Sequence, residues 1–409
     1  MEIEEPVLLQ VDKKTIEFPK YAWVVLFVTI LAGVAAPLNQ FKVPPVMPVL
    51  MEQFQLDLTA VGLLMSIFAI TGLVLALPAG IILHRLGAKA TGLIAVASLL
   101  IGVVLGAVSN DITTLLSSRL IEGIGMGLIA VVGPAVITMW FPPKKRGLPM
   151  GIWATWVPLG SLIIYNLAPL VNSLAGWQAV WWVVAVITLV ILVLYWLLFR
   201  VPQNSSTVGD GQSNGSDVSI SYMKAIHSRE IWLLAVSFCC FNFVVIGVIA
   251  SFFPTFLKSV RDFSLAEASY VTSIKMLVCV VLAPLIGWIT DKVGSPRKII
   301  LISFIGLMLF MIFPFNLSGW LISLLMVFLG FIAAAISTAT FSSAPEVTRS
   351  GYPVGITIGV VMIGQNLGQL LGPVVFSRLV ENLGWAPAGY WMIVVLIIGF
   401  AATWFIKMK

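Results

Sequence analysis

Apolar runs of membrane-spanning length recur along almost the whole chain, and they limit its fold more than any single motif does. "WVVLFVTILAGVAAPL" (23–38) and "YWMIVVLIIGFAATWF" (390–405) are two of them. A bilayer core needs about 20 consecutive apolar residues to be crossed by a helix. Composition points the same way: 60% of the 409 residues are hydrophobic and 10% are charged, against roughly 25% charged in an ordinary soluble domain. A water-soluble fold of this size could not cover its surface with so little charge. The chain reads as an all-α, polytopic membrane protein.

Twelve spans are expected, near 21–50, 58–83, 88–108, 112–140, 147–172 and 178–200, then 230–257, 265–291, 297–315, 318–342, 352–377 and 386–407. The first twenty residues are polar and mixed in charge, with no apolar stretch before Tyr21, so no cleavable signal is visible and the first span should serve as its own insertion signal. Between the sixth and seventh spans lies "PQNSSTVGDGQSNGSDVSIS", a flexible polar linker by composition. The expected organisation is an N-terminal segment (1–20), a six-helix bundle (21–200), a linker (201–229) and a second six-helix bundle (230–409).

Lysine and arginine set the expected orientation. With the N-terminus inside, the inside connections hold seventeen of them and the outside connections three, Lys258, Arg261 and Arg378. Both termini and the linker should then face the cytoplasm of a cell membrane. The net charge of +6 is explained by this bias, so no nucleic-acid partner is needed. Cys239, Cys240 and Cys279 lie in apolar segments and His84 and His227 in polar connections. Such a set offers no convergent cluster for an enzyme or a metal, and no cofactor is expected.

The two halves echo each other at an offset near 207. Gly80 and Gly87 fall on Gly287 and Gly294; Gly151, Gly160 and Pro169 fall on Gly355, Gly364 and Pro373. "MPVLM" (47–51) lies over "FPTFL" (253–257), and the "GW" at 176 over the "GW" at 384. Glycine, proline and tryptophan agreeing in order argue for an internal duplication, the mark of transporters that rock one half against the other about a central site.

With these features the sequence resembles the major facilitator superfamily along essentially its full length. The family's G-x-x-x-D-R/K-x-G-R-R/K motif is similar to Gly80, Arg85, Gly87 and Lys89, and again to Gly287, Asp291, Lys292, Gly294, Arg297 and Lys298. In the first copy His84 stands where the acid is usual. "RLIEGIG", with Arg119, Gly123 and Gly125, resembles the fourth-helix pattern R-x-x-Q-G-x-G, with Glu122 in place of glutamine. The resemblance implies two pseudo-symmetric six-helix bundles, a monomer as a sufficient unit, and gating roles for Arg85 and Asp291. Asp291 could cap the positive N-terminus of a helix in the opposite half, near Gly147; His84 cannot do so as an anion.

Four ionisable side chains fall inside spans: Lys42, Arg119, Glu122 and Lys275. A charge there costs roughly 2.5–3.5 kcal/mol on insertion scales, so it normally faces a wet cavity or a partner. Lys275 lies about ten residues into span eight, roughly 15 Å along its axis and near the midplane. Lys42 shares a helical face with Asn39 at i, i+3, and Arg119 and Glu122 have the same spacing. Three cations against one carboxylate leave an excess of two positive charges, which is unfavourable until an anion arrives.

The expected protein is therefore a secondary active transporter of a small organic or inorganic anion, monocarboxylate-like, working by alternating access with protons as a coupling ion. Its charge pattern is similar to that of monocarboxylate, oxalate/formate and nitrate/cyanate carriers. Lys275 and Lys42 are expected to bind the charge, with Asn39, Tyr165, Gln365, Asn366 and Gln369 supplying hydrogen bonds. Glu122 and Arg119 are expected to handle coupling. Trp153 and Trp156 either wall an apolar part of the site or pack. The alternative is an exporter of neutral or drug-like compounds, which would prefer an unpaired carboxylate.

Overall fold

The computed structural model describes residues 20–76, 78–142, 145–202, 228–348 and 354–407. The N-terminal segment and most of the expected linker lie outside the described residues, as do the side chains of Pro284, Asp291 and Pro345.

The helices of the first half are α1 (Tyr21–Gln40), α2 (Val43–Phe54), α3 (Leu58–Leu75), α4 (Pro78–Ala107), α5 (Ile112–Trp140), α6 (Gly147–Ala154), α7 (Trp156–Ala175) and α8 (Trp177–Leu198). The second half holds α9 (Arg229–Asn242), a π-helical stretch (Phe243–Ala250), α10 (Ser251–Val260), α11 (Leu265–Val293), α12 (Pro296–Phe310), α13 (Leu321–Val347), α14 (Val354–Leu383) and α15 (Trp385–Phe405). Several helices together make one span: α1 and α2 form a single apolar stretch, Tyr21–Phe54, and α9 to α10 another, Arg229–Val260. Among the described residues, eleven stretches are long and apolar enough to cross a bilayer. The ninth expected span is the short one. α12 has 15 residues, about 22 Å of helix, and hydrogen-bonded turns at Phe313, Asn316 and Leu317 continue it.

Helix starts follow from local chemistry. Asp57 accepts from the Ala60 amide at the head of α3, and Asp111 from the Thr114 amide at the head of α5. Ser264 and Glu267 close a capping box on α11. The Thr114 hydroxyl also donates to Asp111, and the two bonds hold that carboxyl below the usual carboxylate range.

The duplication is written in the backbone. Gly87 turns the chain between spans two and three at φ +75°, and its partner Gly294 ends α11 at φ +61°. Gly176 and Gly384, the paired "GW" glycines, take φ +81° and +84°. Left-handed conformations that disfavour a side chain thus recur at matched positions.

One hydrophobic core runs through both halves, which are joined by α3 against α14 and α7 against α11. The termini-side face carries residues 20 and 407; the opposite, distal face carries the α2–α3 turn and the end of α14. Charged side chains are scarce between these faces, so each one that is present needs an account.

Candidate functional site

The first span is broken where it meets the protein's centre. Pro44 and Pro45 have no amide hydrogen, so the carbonyls four residues earlier lose their helical donors, and turns replace helix at Phe41 and Lys42. Arg119 of α5 takes up one of them, that of Gln40, together with the neighbouring Asn39 carbonyl. Its Nη1 donates to the Asn39 carbonyl at 2.7 Å, its Nη2 to the Gln40 carbonyl at 2.8 Å, and its Nε to the Leu64 carbonyl at 3.2 Å. The Phe68 ring lies 4.6 Å from the guanidinium carbon.

Glu122 is shared between two cations. Its Oε1 accepts from Lys42 Nζ at 2.5 Å and its Oε2 from Arg119 Nη1. Lys42 also donates to the side-chain and backbone oxygens of Asn39, both at 3.2 Å, and its ammonium lies 5.2 Å from the Trp181 ring. All four polar residues are fully buried. The triad carries one net positive charge.

Lys275 has a different environment. It is 3% exposed, and its Nζ donates to the Val245 carbonyl at 3.2 Å. No carboxylate of the described residues lies within 4.0 Å of it. Val245 belongs to the π-helical stretch Phe243–Ala250. A π-helix bonds each amide one residue further back than an α-helix, and here a carbonyl of the stretch also accepts from a side chain of another helix. The Tyr165 hydroxyl of α7 takes a second one, at Ala250. Matching Pro48 to Pro254 places the break after Gln40 over this same stretch. Both halves therefore interrupt their first helix inside the span: Arg119 holds the Asn39 and Gln40 carbonyls beside the first break, and Lys275 holds the Val245 carbonyl within the second.

Amides link the halves between these interruptions. Gln40 Nε2 donates to Gln369 Oε1 at 2.8 Å, and Gln369 Nε2 to Asn242 Oδ1 at 3.2 Å. Further toward the distal face, Asn166 donates to the Ser273 hydroxyl at 3.1 Å. At that face Glu381 accepts from the Thr59 amide at 2.9 Å and hydroxyl at 2.7 Å.

The expected site residues thus divide. Lys42, Arg119, Glu122 and Asn39 form one cluster; Lys275 and Tyr165 both reach the π-helical stretch; Gln369 bridges the halves. Asn39 turns its amide to the Ala35 carbonyl and the Thr188 hydroxyl, and so orients Lys42. Asn366 donates to the Met362 carbonyl and lies in the space beside Gly72. Gln365 is half-buried and Arg85 is exposed on the termini side. The side chain expected at Asp291 lies outside the described residues. Trp153 and Trp156 stack at 5.2 Å, and Trp153 fills the notches of Gly33 and Gly133, so both act in packing. Gln40, Asn242, Glu381 and the Val245 carbonyl were not expected. An amide inside an apolar run, Asn242 alone and Gln40 beside Asn39, was the available signal for the first two. Nothing in the spacing marks a carbonyl.

Two helical halves meeting over buried cations, with every span apolar outside, define a multi-pass membrane transporter. The family model described as Major Facilitator Superfamily matches residues 29–352 and 262–409. The chain belongs to that superfamily and is a transporter, not an enzyme. It is 23% identical over 382 residues to a "Probable sulfoacetate transporter" of Cupriavidus necator, covering 88% of this chain and 87% of that one. It is 24% identical over 365 residues to the nitrite extrusion protein of Bacillus subtilis, covering 83% and 84%. Among solved structures, a bacterial homologue of the human lysosomal transporter Spinster aligns with a TM-score of 0.78 at 16% identity, covering 95% of this chain and 98% of that one.

Proposed function

We propose that the protein is a secondary active transporter that carries a small organic or inorganic anion by alternating access of its two halves. One observation carries the reading: the Lys275 ammonium is buried near midplane with a carbonyl for a partner and no carboxylate nearby. A buried cation left in that state is unfavourable, and an anion completes it. The triad adds a net positive charge instead of cancelling it. Two relatives are named for anions, one organic and one inorganic.

In this reading Lys275 takes the charge of the cargo. Lys42 contributes when it leaves Glu122, and Glu122 with Arg119 handles coupling. A proton on Glu122 would neutralise the carboxylate that now holds both cations, freeing Lys42 for the anion. Arg85 and Asp291 act in closing the termini-side face. The lysine and arginine bias makes that face cytoplasmic in a cell membrane, and a monomer contains the whole site. An exporter of organic cations would need an unpaired acid at midplane, and Glu122 is occupied twice.

The test is uptake of labelled monocarboxylate and nitrite into liposomes holding purified protein. Wild-type protein should load at least one of them, and Lys275→Ala should reduce loading to the level of empty liposomes. Normal uptake by that variant would remove Lys275 from the site.

A further inference from the structure

The amides of Gln40, Gln369 and Asn242 form a relay whose direction is fixed at one end. Asn242 Nδ2 donates to the Phe238 carbonyl at 2.9 Å, and a carbonyl can only accept. Asn242 therefore turns Oδ1 toward Gln369, which must answer with Nε2. That leaves Gln369 Oε1 facing Gln40, which must answer with its own Nε2. Flipping any one amide would set donor against donor or acceptor against acceptor. The relay ends at Gln40 Oε1, a buried acceptor with no donor among the described residues. Gln40 itself is 2% exposed.

The position of that open acceptor matters. Gln40 is the last residue of α1, its backbone carbonyl is held by Arg119, and Lys42 follows two residues later. Asn242 directly precedes the π-helical stretch, three residues before the carbonyl that holds Lys275. The relay joins the two interrupted helices whose backbone carbonyls the buried cations hold. Its Gln40–Gln369 bond also crosses between the halves, so it breaks whenever the halves part at this level. Gln40 then needs both a donor and an acceptor from whatever lies between them.

A carboxylate or nitrite oxygen only accepts. It can satisfy an ammonium or an amide N–H, never Gln40 Oε1. A hydroxyl does both. We infer that the transported anion carries a hydroxyl as well as its acidic group, and that Gln40 selects this hydroxy acid through the open side-chain oxygen at the end of its amide relay. The inference rests on the anion reading above and narrows it: Lys275 takes the charge and Gln40 the hydroxyl.

Matched acids test it. Purified full-length protein is titrated, with thermal shift as readout, against lactate and propionate and against 3-hydroxybutyrate and butyrate. A site built to bond a hydroxyl rejects the analogue lacking it strongly, so in at least one pair the hydroxy acid should bind at least about tenfold more tightly. Gln40→Met keeps length and removes the acceptor. It should bring that ratio to about one while the deoxy acid binds within about threefold of its wild-type affinity, which also shows that the variant is folded. Gln40→Leu, which also removes the acceptor, should lose the discrimination in the same way and serves if Gln40→Met is not stable. Equal affinity within both wild-type pairs overturns the inference, and so does discrimination that survives Gln40→Met. Binding of none of the four acids overturns the inference, and uptake of nitrite into liposomes then decides whether the anion reading stands without it. Binding of deoxy and hydroxy acids alike, lost in Lys275→Ala, leaves the anion reading standing and removes only the role of Gln40.

Discussion

Glu122 is held by two cations at once, which makes it the residue whose loss the structure should feel most. Replacing it with glutamine leaves Lys42 and Arg119 buried, close together and without an anion. Breaking a buried ion pair by removing one partner costs about 3–5 kcal/mol. Glu122→Gln should therefore lower the melting temperature of the detergent-purified protein markedly. Adding Lys42→Met should restore part of the loss, because the second change removes a cation the first left unpaired. A Glu122→Gln protein as stable as wild type would mean that the triad is not closed as described. The four buried charges were all legible in the sequence, because a charge inside an apolar run stands out. Their partners were less so. Arg119 with Glu122 follows from helical spacing, but Lys42 reaches Glu122 only because Pro44 and Pro45 interrupt the span and turn the chain at Phe41. The prolines were visible; the direction they give the lysine was not.

At the scale of elements, span positions and the paired glycine turns followed from apolar length and the internal repeat. The π-helical stretch did not. "FVVIGVIA" contains no proline, and nothing in its pattern departs from an ordinary span. Its neighbourhood is unusual in another way. Gly364, Gly368 and Gly372 line one face of α14 and lie against the backbone of α9 and of the π-helical stretch. A Cβ at Gly368 would meet the Cys239 carbonyl oxygen at 2.2 Å, and one at Gly372 the Phe243 carbonyl oxygen at 2.6 Å. Backbone packed this closely cannot give way as a flexible side chain would. Gly368→Ala should destabilise the protein by about 1–3 kcal/mol through overpacking. Gly80→Ala is the control, since a Cβ there meets nothing within 4 Å in α4. It should be neutral or slightly stabilising, because alanine is the better helix former. Thermal unfolding of the two variants side by side checks the contrast, and equal melting temperatures would sink it.

At the scale of the whole molecule, the described bonds between the halves run from the midplane amides to the distal face. The last of them is an acid on a helix start: Glu381, at the end of α14, accepts from the Thr59 amide and hydroxyl in the first turn of α3. A carboxylate is favoured there because the helix start presents free amides and a positive dipole end. The repeat motif suggests a matching role for Asp291 toward the helix near Gly147, on the opposite face. Two carboxylates, each capping a helix of the other half, would then hold alternate faces shut. With the termini inside, as the lysine and arginine bias predicts, Glu381 would be the extracellular one. Removing it takes charge-assisted bonds from the state with the distal face closed and none from a state with that face parted. A net loss of about 1 kcal/mol corresponds to roughly a fivefold rise in the parted population. Spin labels at Gln53→Cys and Asn382→Cys, in a background lacking the three native cysteines, report that separation directly. Glu381→Ala should add or enlarge a long-distance component, and Glu381→Gln, which keeps one acceptor, should do so less. Identical distance distributions in all three proteins would show that the distal face is held by the midplane amides and glycine contacts alone, with Glu381 as a bystander.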